Sequence, residues 1–181
     1  WNDLYASEIA WSRDGWDFQR LPARQHFIEF GPEGDWDHSM VVCTARWVEV
    51  GDEWWFYYAG FDGSHDDPAH RKGAIGLATL RKEGFISQHA PRTGGVVCTR
   101  AIRWPGGALS VNADAREGEL RVRVSDELRK PARGFNYDDM AAFTGDSVAH
   151  EVKWGGRSLD EFKGKVIRLE FLLKEADLFT F

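Results

Sequence analysis

Short apolar runs and alternating apolar and polar positions, bounded by Gly, Asp, Pro and Asn, cover nearly the whole chain, and a helical period is almost nowhere sustained. The pattern predicts strands at 4–11, 17–21, 39–49, 53–61, 73–81, 85–90, 95–103, 107–114, 118–126, 147–154, 165–174 and 177–181. The fold class is therefore all-β. Ser158-Leu159-Asp160-Glu161-Phe162 fits one capped helical turn, and Asp138 to Ala142 is a second short helix-like stretch. Trp54-Trp55-Phe56-Tyr57-Tyr58 carries aromatics at successive positions, which point to opposite faces of a strand, so that strand needs cover on both sides.

Ile9 to Trp16 returns in weaker form as Ile75 to Phe85, which sets Gly15 and Gly84 69 residues apart. A period of that length suits a four-stranded propeller blade with its connections. Only about one and a third such units fit before Pro91-Arg92-Thr93-Gly94-Gly95 interrupts the pattern. The expected organisation is a partial β-propeller over 1–92 followed by an antiparallel β-sandwich over 93–181. In the latter, Leu120-Val122-Val124 and Ile167-Leu169-Phe171-Leu173 alternate with Arg and Glu, as half-exposed strands do. Ser12-Arg13-Asp14-Gly15-Trp16-Asp17-Phe18 fits an acidic hairpin turn in which Asp14 caps backbone amides and a later aromatic packs beneath.

Twenty-three basic residues against 29 acidic ones, with no basic stripe, make nucleic acid and anionic membranes poor partners. No apolar run approaches the ~20 residues of a membrane-spanning helix. The chain opens on Trp1 with no initiator Met and no signal peptide, and is expected to be a mature, trimmed or partial chain, which leaves its compartment unassigned. Cys43 and Cys98 sit in apolar strand-like runs and suit two buried small hydrophobes, with a disulfide as the alternative. Nine Trp suit either packed sheets or stacked sugar rings.

If 39–49, 53–61, 73–81 and 85–90 are four antiparallel strands in order, the loops 31–38 and 62–70 leave the same side of the sheet. Long polar loops converging on a rigid scaffold are where binding tends to lie. The candidate substrate-binding residues are Trp36, Asp37, His38, Asp62, His65 and Asp66. Trp36 could stack on a pyranose or pack between sheets, and Asp37 could contact hydroxyls or cap its own loop. Asp62, Asp66 and Asp67 offer oxygen ligands for Ca²⁺ without the spacing of an EF-hand loop, and His65 with His70 lacks a zinc spacing, so no metal and no cofactor is assigned. In the second half, Trp104, Asn136, Tyr137 and Trp154 suit packing better than a carbohydrate platform.

Trp36-Asp37-His38-Ser39-Met40, followed by Trp54-Trp55-Phe56-Tyr57-Tyr58-Ala59-Gly60 and a loop containing His65, resembles a blade of the five-bladed β-propeller glycosidases, glycoside hydrolase families 32, 43 and 68 and their uncharacterised relatives. Gly84-Phe85-Ile86-Ser87, then Gly107 to Asn112 and Gly118 to Val122, resembles the passage from last blade to trailing sandwich in such proteins. The resemblance implies the C-terminal portion of a glycoside hydrolase with a glycan or oligosaccharide as partner, in a secreted or periplasmic setting. His65 would correspond to a channel-facing His that orients a metal or substrate. The first-blade Asn-Asp-Pro type motif and the Arg-Asp-Pro motif of family 32 are not found, so the resemblance places the catalytic carboxylates on other blades, leaves Asp37 as the one catalytic candidate here, and implies that this chain alone is inactive. The alternative is a non-catalytic carbohydrate-binding or structural β-sandwich protein. Exposed sheet edges of an incomplete propeller invite a homo-oligomer.

Overall fold

The computed structural model describes residues 4–66 and 68–181. They form an all-β protein of antiparallel sheets, with two short 3₁₀ turns, Tyr137–Asp139 and Leu159–Phe162. Two compact units share the chain, the first ending at Leu80 and the second running Arg81–Phe181.

In the first unit β1 (Ala10–Trp11) and β2 (Gln19–Arg20) form a small hairpin. Its turn is the acidic one expected: Asp14 Oδ1 accepts from the amides of Trp16 and Asp17 at 2.8 and 2.9 Å, and Ser12 Oγ accepts from that of Gly15. These amides also hold the Asp14 carboxyl below its usual pKa. The aromatics do not pack beneath the turn, however. Trp16 is 87% and Phe18 65% exposed, because a two-residue hairpin offers no surface to cover them.

The main sheet of this unit holds β3 (Met40–Cys43), β4 (Val48–Val50), β5 (Glu53–Phe61) and β6 (Gly73–Arg81). β3 pairs with the second half of β5 and β4 with the first, so the expected 39–49 strand is one strand interrupted at 44–47, and β6 completes the sheet beside β5. The stretch before it runs parallel to β3, with the Val41 amide donating to Tyr5 O. One face is buried: Trp54 and Phe56 point into it, Trp47 packs on Trp54 and Phe27 meets Phe56 edge-on.

In the second unit, β7 (Gln88–Ala90), β8 (Gly95–Cys98), β9 (Ile102–Arg103), β10 (Leu109–Asp114), β11 (Glu119–Ser125), β12 (Asp146–Val152), β13 (Val166–Lys174) and β14 (Ala176–Thr180) form two sheets. One has the order β12-β10-β14-β7; the other is β11-β13-β8, with β9 pairing further along β13. The expected fourth strand of the first sheet, 85–90, is thereby corrected: β7 pairs with β14, Ala90 opposite Ala176, and Ala90 is buried in the second unit's core. Leu109, Val111, Leu120, Val122, Leu169 and Phe171, from both sheets, meet in that core. Each such side chain contributes about 2 kcal/mol on burial.

Outside the core, the second unit is tied by polar side chains. β10 bulges at Asn112, which is 2% exposed, donates to Lys82 O and accepts from Arg81 Nε. Arg81 also pairs with Asp146. On the face of β13 away from the core, Glu170 is fully buried between Arg123, Arg129 and Ser125. Asn136 and Ser158 cap the two 3₁₀ turns and Trp154 is fully buried, so these residues serve packing. Cys43 and Cys98 are free thiols and only half-buried, which corrects both the expected full burial and the alternative of a disulfide.

Candidate functional site

The loop entering β3 folds into consecutive turns. The Asp35 amide donates to Pro32 O, Gly34 supplies the positive φ, and His38 Nδ1 lies 2.7 Å from Asp35 O, so that nitrogen carries the proton and donates. This presses Trp36 and Asp37 back over β5. Asp37 is 7% exposed, and its Oδ2 accepts from the Tyr58 hydroxyl at 2.8 Å. The Trp36 ring stacks on Tyr58 at 5.6 Å with planes 20° apart, and the residue stays 39% exposed.

Glycines open the slot that admits this cluster. A Cβ on Gly60 would lie 2.4 Å from both Asp37 Cβ and the Trp36 ring; one on Gly31 would lie 2.0 Å from Asp37 Oδ1; one on Gly76 would lie 2.4 Å from the Tyr58 ring. Larger side chains at these positions would expel the cluster.

Burial raises the Tyr58 phenol to about 12, helped by its hydrogen bond to Asp37 and that carboxylate's charge. It therefore remains a neutral donor across the ordinary pH range. Tyr58, and Tyr137, which burial also raises, are expected to ionise later than an ordinary phenol when phenolate absorbance is followed upward through pH 10. Tyr58→Phe should remove one late step. Because the folded state favours the protonated phenol, Tyr58 stabilises the first unit below pH 10 and loses that contribution between 10 and 12. An absorbance step near pH 10 that Tyr58→Phe removes would contradict the buried geometry.

The second loop leaves the same end of the sheet, since the Ser39 amide donates to Phe61 O at 3.1 Å. Its residues hold local partners. Asp62 Oδ1 accepts from the Lys72 amide at 2.7 Å and closes the loop. His65 is exposed, lies with its ring 5.1 Å from that of Tyr5 and tilted 34° to it, and has Nδ1 3.9 Å from Asp66 Oδ1. Asp67, named as an oxygen ligand, lies outside the described residues. Among the described residues no group of three or more His, Cys, Asp or Glu is placed to hold a metal ion.

The structure thus brings Trp36 and Asp37 together, with Tyr58 as the partner sequence reasoning missed. The signal was present: Tyr58 and Gly60 lie two apart on one face of β5, an aromatic beside a vacancy. Comparison of the chain with protein-family models, with curated proteins and with solved structures finds no match in any of the three.

Proposed function

We propose that the first unit's main sheet is a blade of a five-bladed propeller of the glycoside hydrolase type, that the second unit is the accompanying β-sandwich, and that the chain contacts a glycan through Trp36. One observation carries the reading. A partly exposed indole is held flat by a phenol that a buried carboxylate fixes in place, at the end of the sheet from which both polar loops leave. Sugar C–H faces stack on such rings, and an indole already locked in position loses little rotamer entropy on binding.

At 7% exposure and committed to Tyr58, Asp37 is a positioning residue in this scheme. Glycosidic cleavage needs two carboxyls roughly 5 to 10 Å apart across the bond. Binding is therefore the activity assigned to this chain, and cleavage is left to carboxylates on other blades.

Calorimetric titration against an oligosaccharide panel tests the proposal. Wild type is expected to bind at least one glycan, Trp36→Ala to weaken it tenfold or more at unchanged melting temperature, and Tyr58→Phe to weaken it less. No binding by wild type at millimolar glycan, or binding indifferent to Trp36→Ala, would overturn the reading. Hydrolysis lost with Asp37→Asn would instead make the chain an enzyme.

A further inference from the structure

The second unit holds a cleft of about 260 Å³ between the turn 126–130 and the start of β13. Its wall is apolar and fixed. Phe162 meets Phe135 edge-on at 4.7 Å, Ile167 is 3% exposed, and the Ala132 amide ties its residue to β11 by donating to Val124 O at 2.8 Å. Pro131 forms a bridge with Ser125, and Val166 pairs with Arg103 of β9. The polar side chains around this wall divide into two kinds. Ser125 Oγ donates to Glu170 Oε1 at 2.7 Å, and Asp126 Oδ1 accepts from the amides of Leu128 and Lys130 at 2.9 and 2.8 Å, which commits that carboxylate to its own turn. Glu161, next to Phe162 in sequence, is paired with Arg157 at 2.6 Å. Lys130 and Lys165 are left. Among the described residues neither ammonium has an ion-pair partner, and Lys165 Nζ lies over the Phe162 ring, 5.2 Å from its centroid.

We propose that this cleft binds a small carboxylate with an apolar, ring-sized body, the body against Phe162 and Ile167 and the carboxylate at the two ammoniums. Size, sign and placement select that class. A cavity of roughly 150 Å³ holds benzene, so about 260 Å³ takes one ring with a short acidic arm. Two cations without partners, against one carboxylate already bonded to two amides, leave the cleft positive in a chain whose net charge is −6. An anion offsets them, a cation is repelled, and a neutral ring leaves both ammoniums as they were. The backbone under both lysines is held: Lys130 O accepts from the Asp126 amide at 3.0 Å, and the Lys165 amide donates to Phe162 O at 2.8 Å while its carbonyl accepts from the Trp104 amide at 2.9 Å. Binding therefore orders little beyond two side chains, and attraction to the Phe162 ring already keeps one of them beside the apolar wall. The proposal is independent of the glycan reading, because the cleft lies within the second unit and Trp36 belongs to the first.

Titration of the isotope-labelled full chain with phenylacetate, followed by NMR, tests it. Saturable amide shifts are expected along 125–132 and 162–167, with a dissociation constant at or below the millimolar level that suits a one-ring ligand. Phenylacetamide, which has the same shape without the charge, should bind about tenfold more weakly, and phenethylamine more weakly still. Lys130→Gln and Lys165→Gln should each weaken phenylacetate about threefold and the double variant about tenfold, with phenylacetamide unaffected. Both side chains are exposed, so the melting temperature should be preserved. Lys163→Gln removes an equal charge just outside the cleft and should change nothing. No saturable shift by about 20 mM phenylacetate, shifts scattered over other lysines and arginines, equal affinity for phenylacetate and phenylacetamide, or phenylacetate binding indifferent to the double variant would overturn the proposal.

Discussion

Glu170→Gln should destabilise the second unit by about 3 kcal/mol at neutral pH, and the loss should fade as the solution is acidified. Glu170 has no exposed side-chain surface, and burial alone would raise its pKa. Hydrogen bonds from Arg123 at 2.9 Å, Arg129 at 2.7 Å and Ser125 at 2.7 Å overcome that, and the carboxyl titrates at about 2 in place of 4.5. The displacement corresponds to about 3 kcal/mol in favour of the folded ionised form. Because the folded value is depressed, the contribution is complete above pH 4.5 and is lost as pH falls through 2. Glutamine resembles the protonated acid, so the urea unfolding curves of wild type and variant should lie apart at pH 7 and converge near pH 2. Arg129 is half exposed and regains water when its partner is neutralised, but Arg123 is held under Tyr137 at 4.8 Å and does not. A gap that stays constant from pH 7 to pH 2 would show that shape, and not charge, sets the effect.

Glu170 also marks where the sequence stops being legible. The alternation of β13 correctly sends Ile167, Leu169, Phe171 and Leu173 inward, since a period of two needs only the strand itself. The same rule makes Glu170 solvent-facing, and it is buried, because the segment 126–137 brings Arg129 and Tyr137 over that face from a distance in sequence. β7 fails in the same manner: of the predicted 85–90 strand only Gln88–Ala90 forms, and its partner, β14, lies near the other end of the chain, where local pattern cannot select it. In the first unit the two polar loops were legible as loops. That Asp37 turns inward to Tyr58 required the vacancies at Gly31 and Gly60, whose meaning appears only once β5 and the loop are superposed.

Trp154→Ala should cost about 3 to 5 kcal/mol, and Trp154→Phe about 1 to 3, with the difference reporting volume and the remainder a single hydrogen bond. The hydrogen bond matters because one edge of β11 is not paired with a strand. β13 covers one side of that strand, and on the other the segment 131–143 approaches it only at intervals. Leu120 exchanges hydrogen bonds with Phe143, and Val124 donates to Phe135 O and accepts from the Ala132 amide. Between them Val122, with no exposed surface, would leave both backbone groups unsatisfied. Met140 Sδ takes its amide at 3.0 Å, and Trp154 Nε1 donates to its carbonyl at 2.7 Å. Trp154 thus fills the core beside Phe135, at 5.2 Å, and completes the backbone bonding of an edge that no strand covers. Phenylalanine keeps most of the volume but leaves Val122 O buried without a donor, so amide exchange should quicken along 120–124 in that variant while β13 stays protected. Equal stability of Trp154→Phe and wild type in urea would show that Val122 O finds water, and that the edge is more open than its burial implies.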